Sequence, residues 1–353
     1  MNGTLILTKQ CNLRCRYCFE SHENVFMTEQ TALAAVDLLA GDGKTYGGIS
    51  FFGGEPLLRK ELIYRCVERV ATAHPEKEFR YNMTTNGLLL DEAFLTFARD
   101  NRIKIALSHD GLMSRVNRLY PDGRDCLALL DEKLMLLLRW QPKAFIMATL
   151  SADCVTQAAE SVISLYQKGV RQVNLAIDSR PQAGWDDDSM DELGRQLRFI
   201  ADYIFAAFQE DKRISFNAFD EKILSITKQK PCHVCDLGHR KIYIDCDGTI
   251  YPCIQFGGLP EYRIGEVTTG IDEAARAKIH GRSLVKPSFC RGCALESRCV
   301  NDCACLNFQQ CGDMGEVSPV QCTYQRMLIE TADSLARRML AADEVRFVER
   351  YLK

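Results

Sequence analysis

Cys11, Cys15 and Cys18 fall in one short run, Cys11-Asn-Leu-Arg-Cys15-Arg-Tyr-Cys18, directly after the apolar stretch Thr4 to Leu7. A [4Fe–4S] cluster normally takes four cysteines, so a loop that offers three leaves one iron open to bind something else. Zinc is the other metal for close-set cysteines, but structural zinc favours paired C-x2-C units and four protein ligands. The C-x3-C-x2-C spacing fits zinc poorly, and the open iron is the main pointer to function.

Other segments end on residues that could serve the same chemistry. Gly53-Gly54-Glu55-Pro56 follows an apolar run at 48–53. Glycines at a strand end let backbone approach a ligand closely, and the adjacent carboxylate can accept from an ammonium; a tight strand-to-helix turn is the plainer reading. Thr84-Thr85-Asn86-Gly87 and Ser108-His109-Asp110-Gly111 close two further runs. Arg118 is either a carboxylate partner or a surface ion-pair former. Of the seventeen cysteines, Cys66, Cys126 and Cys154 lie between residues 19 and 231 and read as small buried hydrophobes. Eleven lie between Cys232 and Cys322, so a cysteine-poor body precedes a cysteine-rich tail. With no signal peptide and with metal-like spacings, iron or zinc is favoured over disulfides.

The elements that must position these groups follow from periodicity. Strands are predicted near 4–8, 48–53, 78–85, 103–108, 144–150 and 172–178. Helices are predicted over 28–39, 61–72, 91–99, 124–140 and 155–168, with Ser189 capping a long helix through Phe208. Trp185 and the acidic run Asp186 to Asp188 read as a solvated turn feeding that helix, or as a loop bearing on substrate. Six βα units in succession argue for a parallel sheet wound with helices, either an open sheet or a barrel. The pattern breaks over 211–231, read as a linker. Lys241 to Asp245 and Thr249 to Ile254 read as a hairpin about Asp247-Gly248. Residues 280–322 have too little aliphatic content for a core of their own and need metal, and 323–353 read as a C-terminal helix with Met327, Leu328, Thr331, Leu335, Met339 and Leu340 as its packing stripe. The domains expected are therefore 1–210, a linker 211–231, a cysteine-rich domain 232–322 and the helix 323–353.

Composition bounds the partners. At 353 residues the chain allows about two domains of ~100–200 residues. A formal charge of −3 gives no reason to expect nucleic acid or an anionic membrane. No apolar run approaches a membrane span, so a cytoplasmic protein is expected.

The three-cysteine run, with Tyr17 before its last cysteine, resembles the radical S-adenosylmethionine superfamily, and Gly53-Gly54-Glu55-Pro56 matches the GGEP motif that holds the methionine amino group there. The resemblance implies a partial (β/α)6 TIM-like barrel with a cluster on Cys11, Cys15 and Cys18. It implies S-adenosylmethionine held near Tyr17, Gly53, Gly54, Glu55, Pro56, Asn86, Ser108, Asp110 and Arg118. In that family one electron splits a carbon–sulfur bond of S-adenosylmethionine to give a 5′-deoxyadenosyl radical, which removes a hydrogen atom from the substrate. The family more often has an apolar residue at the place of His109.

The tail, Cys235-x12-Gly248-x4-Cys253, then Cys290-x2-Cys293-x5-Cys299-x3-Cys303 and Cys322, resembles the seven-cysteine pattern of SPASM domains. Carried over by position, Cys235, Cys253 and Cys303 hold one auxiliary [4Fe–4S] cluster and Cys290, Cys293, Cys299 and Cys322 a second, giving three clusters in all. Cys232 is taken as the fourth ligand of the first, with Cys246 or an open position as the alternatives. Cys305 and Cys311 lie beyond the pattern, as bystander thiols, a redox pair or substrate anchors.

Barrel and auxiliary domain together imply a maturase that abstracts hydrogen from a ribosomally made precursor peptide and installs a thioether or carbon–carbon cross-link. A flavodoxin or ferredoxin would supply electrons. Leader recognition, if needed, would fall to a separate protein or to the barrel, since no small leader-binding domain precedes the first strand. The rival is an anaerobic sulfatase-maturing enzyme that makes formylglycine. That group carries an aspartate directly after the cysteine matching Cys253, where this chain has Ile254, leaving Asp245 or Asp247 as substitutes. A non-catalytic iron–sulfur or zinc protein is the reading least consistent with GGEP. No acid or base residue is identified.

Overall fold

A computed structural model describes residues 1–228, 236–301 and 303–352. Apart from the two-residue strands Arg14–Cys15 and Arg118–Leu119, the strands in chain order are β1 Asn2–Ile6, β2 Tyr46–Phe52, β3 Glu78–Thr85, β4 Lys104–Ser108, β5 Phe145–Leu150, β6 Gln172–Ile177, β7 Ser215–Phe216, β8 Lys241–Ile244, β9 Thr249–Tyr251, β10 Gly265–Glu266 and β11 Gly270–Ile271. The longer helices are α1 Glu29–Ala40, α2 Lys60–Ala73, α3 Glu92–Asp100, α4 Leu127–Trp140, α5 Ala158–Gln167 and α6 Asp187–Gln209. They continue with α7 Asn217–Thr227, α8 Glu273–Ser283, α9 Ala304–Cys311, α10 Pro319–Ala342 and α11 Glu344–Tyr351. All six predicted strands are present within about two residues of their expected bounds, the ordinary uncertainty of an element end.

Two compact units divide these elements, the first made of Met1–Ser108, Leu119–Gln141 and Asp236–Leu284, the second of His109–Arg118, Pro142–Cys235 and Val285–Lys353. In the first, β1, β2, β3 and β4 pair in parallel in that order. Their inward side chains, Leu5, Phe51, Met83 and Leu107 among them, are buried, as a sheet covered by helices requires. Thr28 caps α1 through Thr31 N and Asp91 caps α3 through Phe94 N, each satisfying one amide that the helix start leaves open.

The hairpin expected at 241–254 forms, with Gly248 at φ +91° in its turn. It does not stand apart from the barrel strands: β8 runs parallel to β1, with Gly3 opposite Ile242 and Leu5 opposite Ile244, and β9, β10 and β11 follow antiparallel. The physical reason is that β1 has two edges, and β8 is apolar enough along Ile242, Tyr243 and Ile244 to be buried on the one β2 leaves open.

In the second unit β5, β6 and β7 pair in parallel. Long α6 is capped by Asp186, not by Ser189 as the sequence reading placed it. Ser189 sits three residues in and closes a capping box with Asp186, so the acidic run is the helix start. The stretch 211–231 is not a plain linker, since it contains β7 and α7. Its signature was masked because the buried face of α7 includes Lys222, a residue only 2% exposed whose ammonium donates to Arg298 O and Gln325 Oε1 at 2.7 Å each. In α10 the buried stripe runs through Tyr324, Leu328, Ala332, Leu335 and Met339, whereas Leu340 is exposed. Tyr324 donates to Leu175 O at 3.0 Å, tying α10 to β6. No helix among the described residues is long and apolar enough to cross a membrane.

Candidate active site and auxiliary cysteines

The cysteine loop begins where β1 ends, and the GGEP segment holds its entrance. Gly54 N donates to Thr8 O at 2.8 Å and Glu55 N to Gln10 O at 3.0 Å, so two residues of GGEP run along the backbone that leads into Cys11. Gly53 is at φ +141°, and a Cβ there would lie 2.3 Å from Thr8 O. A Cβ on Gly54 would lie 2.4 Å from Gln10 O. The glycines thus allow a close approach of chain to chain, a reason that sequence alone did not supply.

Glu55 is fully buried. Its carboxylate accepts from Thr85 Oγ1 at 2.6 Å, Asn86 N at 2.8 Å and Leu57 N at 2.9 Å, the last as cap of the short helical turn Pro56–Arg59. Burial pushes its carboxyl above the usual range, against the pull of the Thr85 hydroxyl and the two amides. Asn86 joins this group to the cysteine loop, since its Nδ2 donates to Asn12 Oδ1 at 2.7 Å and to Cys11 Sγ at 3.6 Å. Cys11 Sγ also accepts from Leu13 N at 3.4 Å. Burial raises the Cys11 thiol to about 11, with the Leu13 amide opposing. Cys11, Cys15 and Cys18 are all half-buried free thiols. A sulfur that collects N–H donors at a strand end suits a thiolate ligand of iron, so the residues fit the cluster that their spacing implies. Thr85, as the partner that orients Glu55, was missed; a β-branched hydroxyl at a strand end was the available signal.

Ser108 is half-buried at the end of β4, and Tyr17 is half-buried in the loop. In the second unit His109 is fully buried, its Nδ1 accepting from Gly111 N at 3.0 Å. Asp110 and Arg118 are both buried and form a two-pronged ion pair, Nε to Oδ2 and Nη2 to Oδ1 at 3.1 Å each, with Thr149 N also on Asp110 Oδ1 at 2.9 Å. Arg118 is therefore no surface pair former. Arg118→Met leaves the Asp110 charge buried without its counter-ion and is expected to cost about 3–5 kcal/mol, read as a lowered denaturant midpoint.

In the tail, Cys290, Cys293, Cys299 and Cys322 line one cavity of about 760 Å³, together with Arg291 and Arg326. These are the four cysteines that the resemblance assigned to one cluster, brought together from two loops and the first turn of α10. Burial raises the Cys299 thiol while the Lys222 ammonium draws it down. Arg298, beside Cys299 in the chain, is fixed by Asp333 of α10 at 2.8 Å. Lys222 and Arg298 thus pin the cysteine-bearing loop to α7 and α10.

Cys253 is half-buried in the first unit, and Cys303 in the second lies with its sulfur 3.5 Å from that of buried Cys305. Cys232 and Cys235 lie outside the described residues. Cys246 is buried with its thiol on Ile6 O at 3.2 Å, and burial pushes it up to about 12. Cys246→Ala is accordingly expected to leave the iron content unchanged; loss of about four irons per chain would make it a cluster ligand. Cys311 is half-buried, and Cys66, Cys126 and Cys154 are buried as expected of core thiols.

A strand-end cysteine loop braced by a buried glutamate, with a second set of cysteines gathered in the tail, defines the class as an iron–sulfur enzyme. Residues 5–125 match the Radical SAM superfamily. The chain is similar to a cysteine-type anaerobic sulfatase-maturating enzyme of Clostridium perfringens, 22% identical over 342 residues that cover 89% of this chain and 90% of that one. In fold it is similar to the solved structure of native anSMEcpe with bound AdoMet and Cp18Cys peptide, with a TM-score of 0.83 at 19% identity, covering 98% and 99% of the two chains. It is also similar in fold to Streptococcus suis SuiB bound to precursor peptide SuiA, with a TM-score of 0.61 at 18% identity over 91% and 75%. Residues 5–125 thus form a radical S-adenosylmethionine domain, and the fold is its TIM-like partial barrel with a C-terminal region like that of anSMEcpe and SuiB. The chain is a radical enzyme that uses S-adenosylmethionine and a [4Fe–4S] cluster.

Proposed function

We propose that this enzyme is a peptide maturase that removes hydrogen from a precursor peptide and closes a thioether or carbon–carbon cross-link. The observation that carries the reading is the gathering of Cys290, Cys293, Cys299 and Cys322 about one cavity, in a different unit from Cys11, Cys15 and Cys18. A cross-link is a net loss of two hydrogens from the peptide, and a second iron–sulfur centre gives the chain a place to receive the electron left after one hydrogen atom is taken. Three [4Fe–4S] clusters are proposed in all, with Cys253, Cys303, Cys235 and Cys232 holding the third. S-adenosylmethionine supplies the hydrogen-abstracting radical. The chain's own residues fix where that happens: Glu55 is aimed by Thr85 and two amides, and Asn86 sets it against the cysteine loop. A flavodoxin or ferredoxin is the proposed electron donor.

Formylglycine formation is the second reading, favoured by the near-complete coverage of the sulfatase-maturating relative. Against it, Ile254 stands where that group has its aspartate, and the substitutes are engaged. Asp245 is buried, with Lys9 Nζ at 3.2 Å and Cys246 N at 2.7 Å, and Asp247 accepts from Thr249 N at 2.8 Å.

The test is anaerobic incubation with S-adenosylmethionine, a strong reductant and cysteine-containing precursor peptides encoded beside the enzyme, read by mass spectrometry. Loss of two hydrogens with all sulfur retained is the expected product. Exchange of a cysteine sulfur for oxygen would replace this reading by the formylglycine one.

A further inference from the structure

Asp236, His239 and His280 form a cluster that the proposed reaction does not use. All three belong to the first unit, Asp236 and His239 on the turn that leads to β8 and His280 in the last turn of α8. Their ligating atoms lie within 4.8 Å of one another. His280 Nε2 is 2.9 Å from Asp236 Oδ1, and His239 Nδ1 is 4.0 Å from the same oxygen. The two imidazoles meet edge to face with centroids 4.2 Å apart. His239 Nδ1 is buried and has no hydrogen-bond partner among the described residues.

We propose that these three side chains bind a divalent transition-metal ion of the zinc type, separate from the iron–sulfur sites. Two imidazoles and one carboxylate are a nitrogen–oxygen donor set suited to zinc, with a fourth position left for water. Tetrahedral bonds of about 2.0–2.1 Å put neighbouring donor atoms about 3.3 Å apart. The observed 2.9 and 4.0 Å bracket that value and all three donor atoms lie within 4.8 Å of one another, so an ion enters by small movements of side chains already facing one another. Binding replaces the proton shared by His280 and Asp236, which is released to solvent, and gives the buried His239 Nδ1 the partner it lacks. The end of α8 favours a cation, since its last carbonyls carry the negative end of the helix dipole. The neighbouring cation, Arg276, is neutralised by Glu273 at 2.5 Å. The ion staples the 236–239 turn, which follows Cys235 in the chain, to α8. The proposal stands independently of the peptide reaction.

The test uses the full chain reconstituted with iron and sulfide, equilibrated with zinc and desalted, with zinc and iron counted together and the zinc K-edge absorption recorded. The expected result is about one zinc per chain with a nitrogen and oxygen shell, imidazole scattering and no sulfur. His239→Ala and His280→Ala should each weaken zinc binding by at least about a hundredfold with iron unchanged. Sulfur in the zinc shell, absence of zinc from the unaltered chain, or zinc retained by both variants would overturn the proposal. Should either variant lose iron through misfolding, the absorption spectrum of the unaltered chain still decides.

Discussion

Replacing Cys11, Cys15 and Cys18 together by alanine will abolish formation of 5′-deoxyadenosine from S-adenosylmethionine and lower the iron content by about four per chain. The three thiols are the soft ligands that the loop offers to iron, and the amide of Leu13 and the Asn86 carboxamide are already aimed at the first of them. The remaining iron should stay, because Cys290, Cys293, Cys299 and Cys322 surround their own cavity in the other unit, where none of the three substituted residues lies. Chromatography of the nucleoside product, with iron and sulfide counted in parallel, reads both halves of the expectation. Product formed at the unaltered rate would remove the N-terminal loop from the chemistry. Loss of all iron would show that the chain needs its first cluster in order to fold around the others.

What the sequence made legible was local. Six strands could be placed because each is a short β-branched or aromatic run bounded by turn residues, and the cysteine spacing and GGEP could be read because their chemistry sits within a few residues. The parts that escaped depend on partners far away in the chain. Thr85 reaches Glu55 across thirty residues, and Asn86 reaches Asn12 across seventy-four. Lys222 finds Gln325 across a hundred and three, so a buried lysine looked like a break in an apolar pattern and α7 was read as linker. The hairpin at 241–251 was recognised from its Asp-Gly turn, but its pairing with β1 depends on which sheet edge is open, a property of the assembled fold. Ser189 and Asp186 are both capping residues three apart, and only the backbone decides between them.

The sharpest test of how the fold serves the site is Gly54→Ala, a single methyl. Its Cβ would stand 2.4 Å from Gln10 O, 2.6 Å from Gln10 C and 2.7 Å from Lys9 O, all backbone atoms with no rotamer to turn away. Either the GGEP turn or the Lys9-Gln10 segment leading to Cys11 must then retreat, and the Gly54 N to Thr8 O and Glu55 N to Gln10 O bonds go with it. Overpacking of this kind costs about 1–3 kcal/mol, which a chain of this size can survive, so the protein should still fold and keep its tail iron. Activity should not survive equally well, because a displacement of about 1 Å between reacting groups costs about a hundredfold in rate. The expected outcome is therefore 5′-deoxyadenosine formation reduced by about two orders of magnitude in a protein with nearly unchanged tail clusters. Gly194→Ala is the matched control: it is buried in α6, but its nearest neighbours are the flexible ends of Arg198 at 3.6 Å and Met327 at 3.8 Å, so a helical glycine replaced there should leave activity intact and stability equal or slightly higher. Full activity in Gly54→Ala would mean that the glycines are there for the turn alone, and that the backbone contact between GGEP and the cysteine loop does not set the distance from Glu55 to the iron-binding sulfurs.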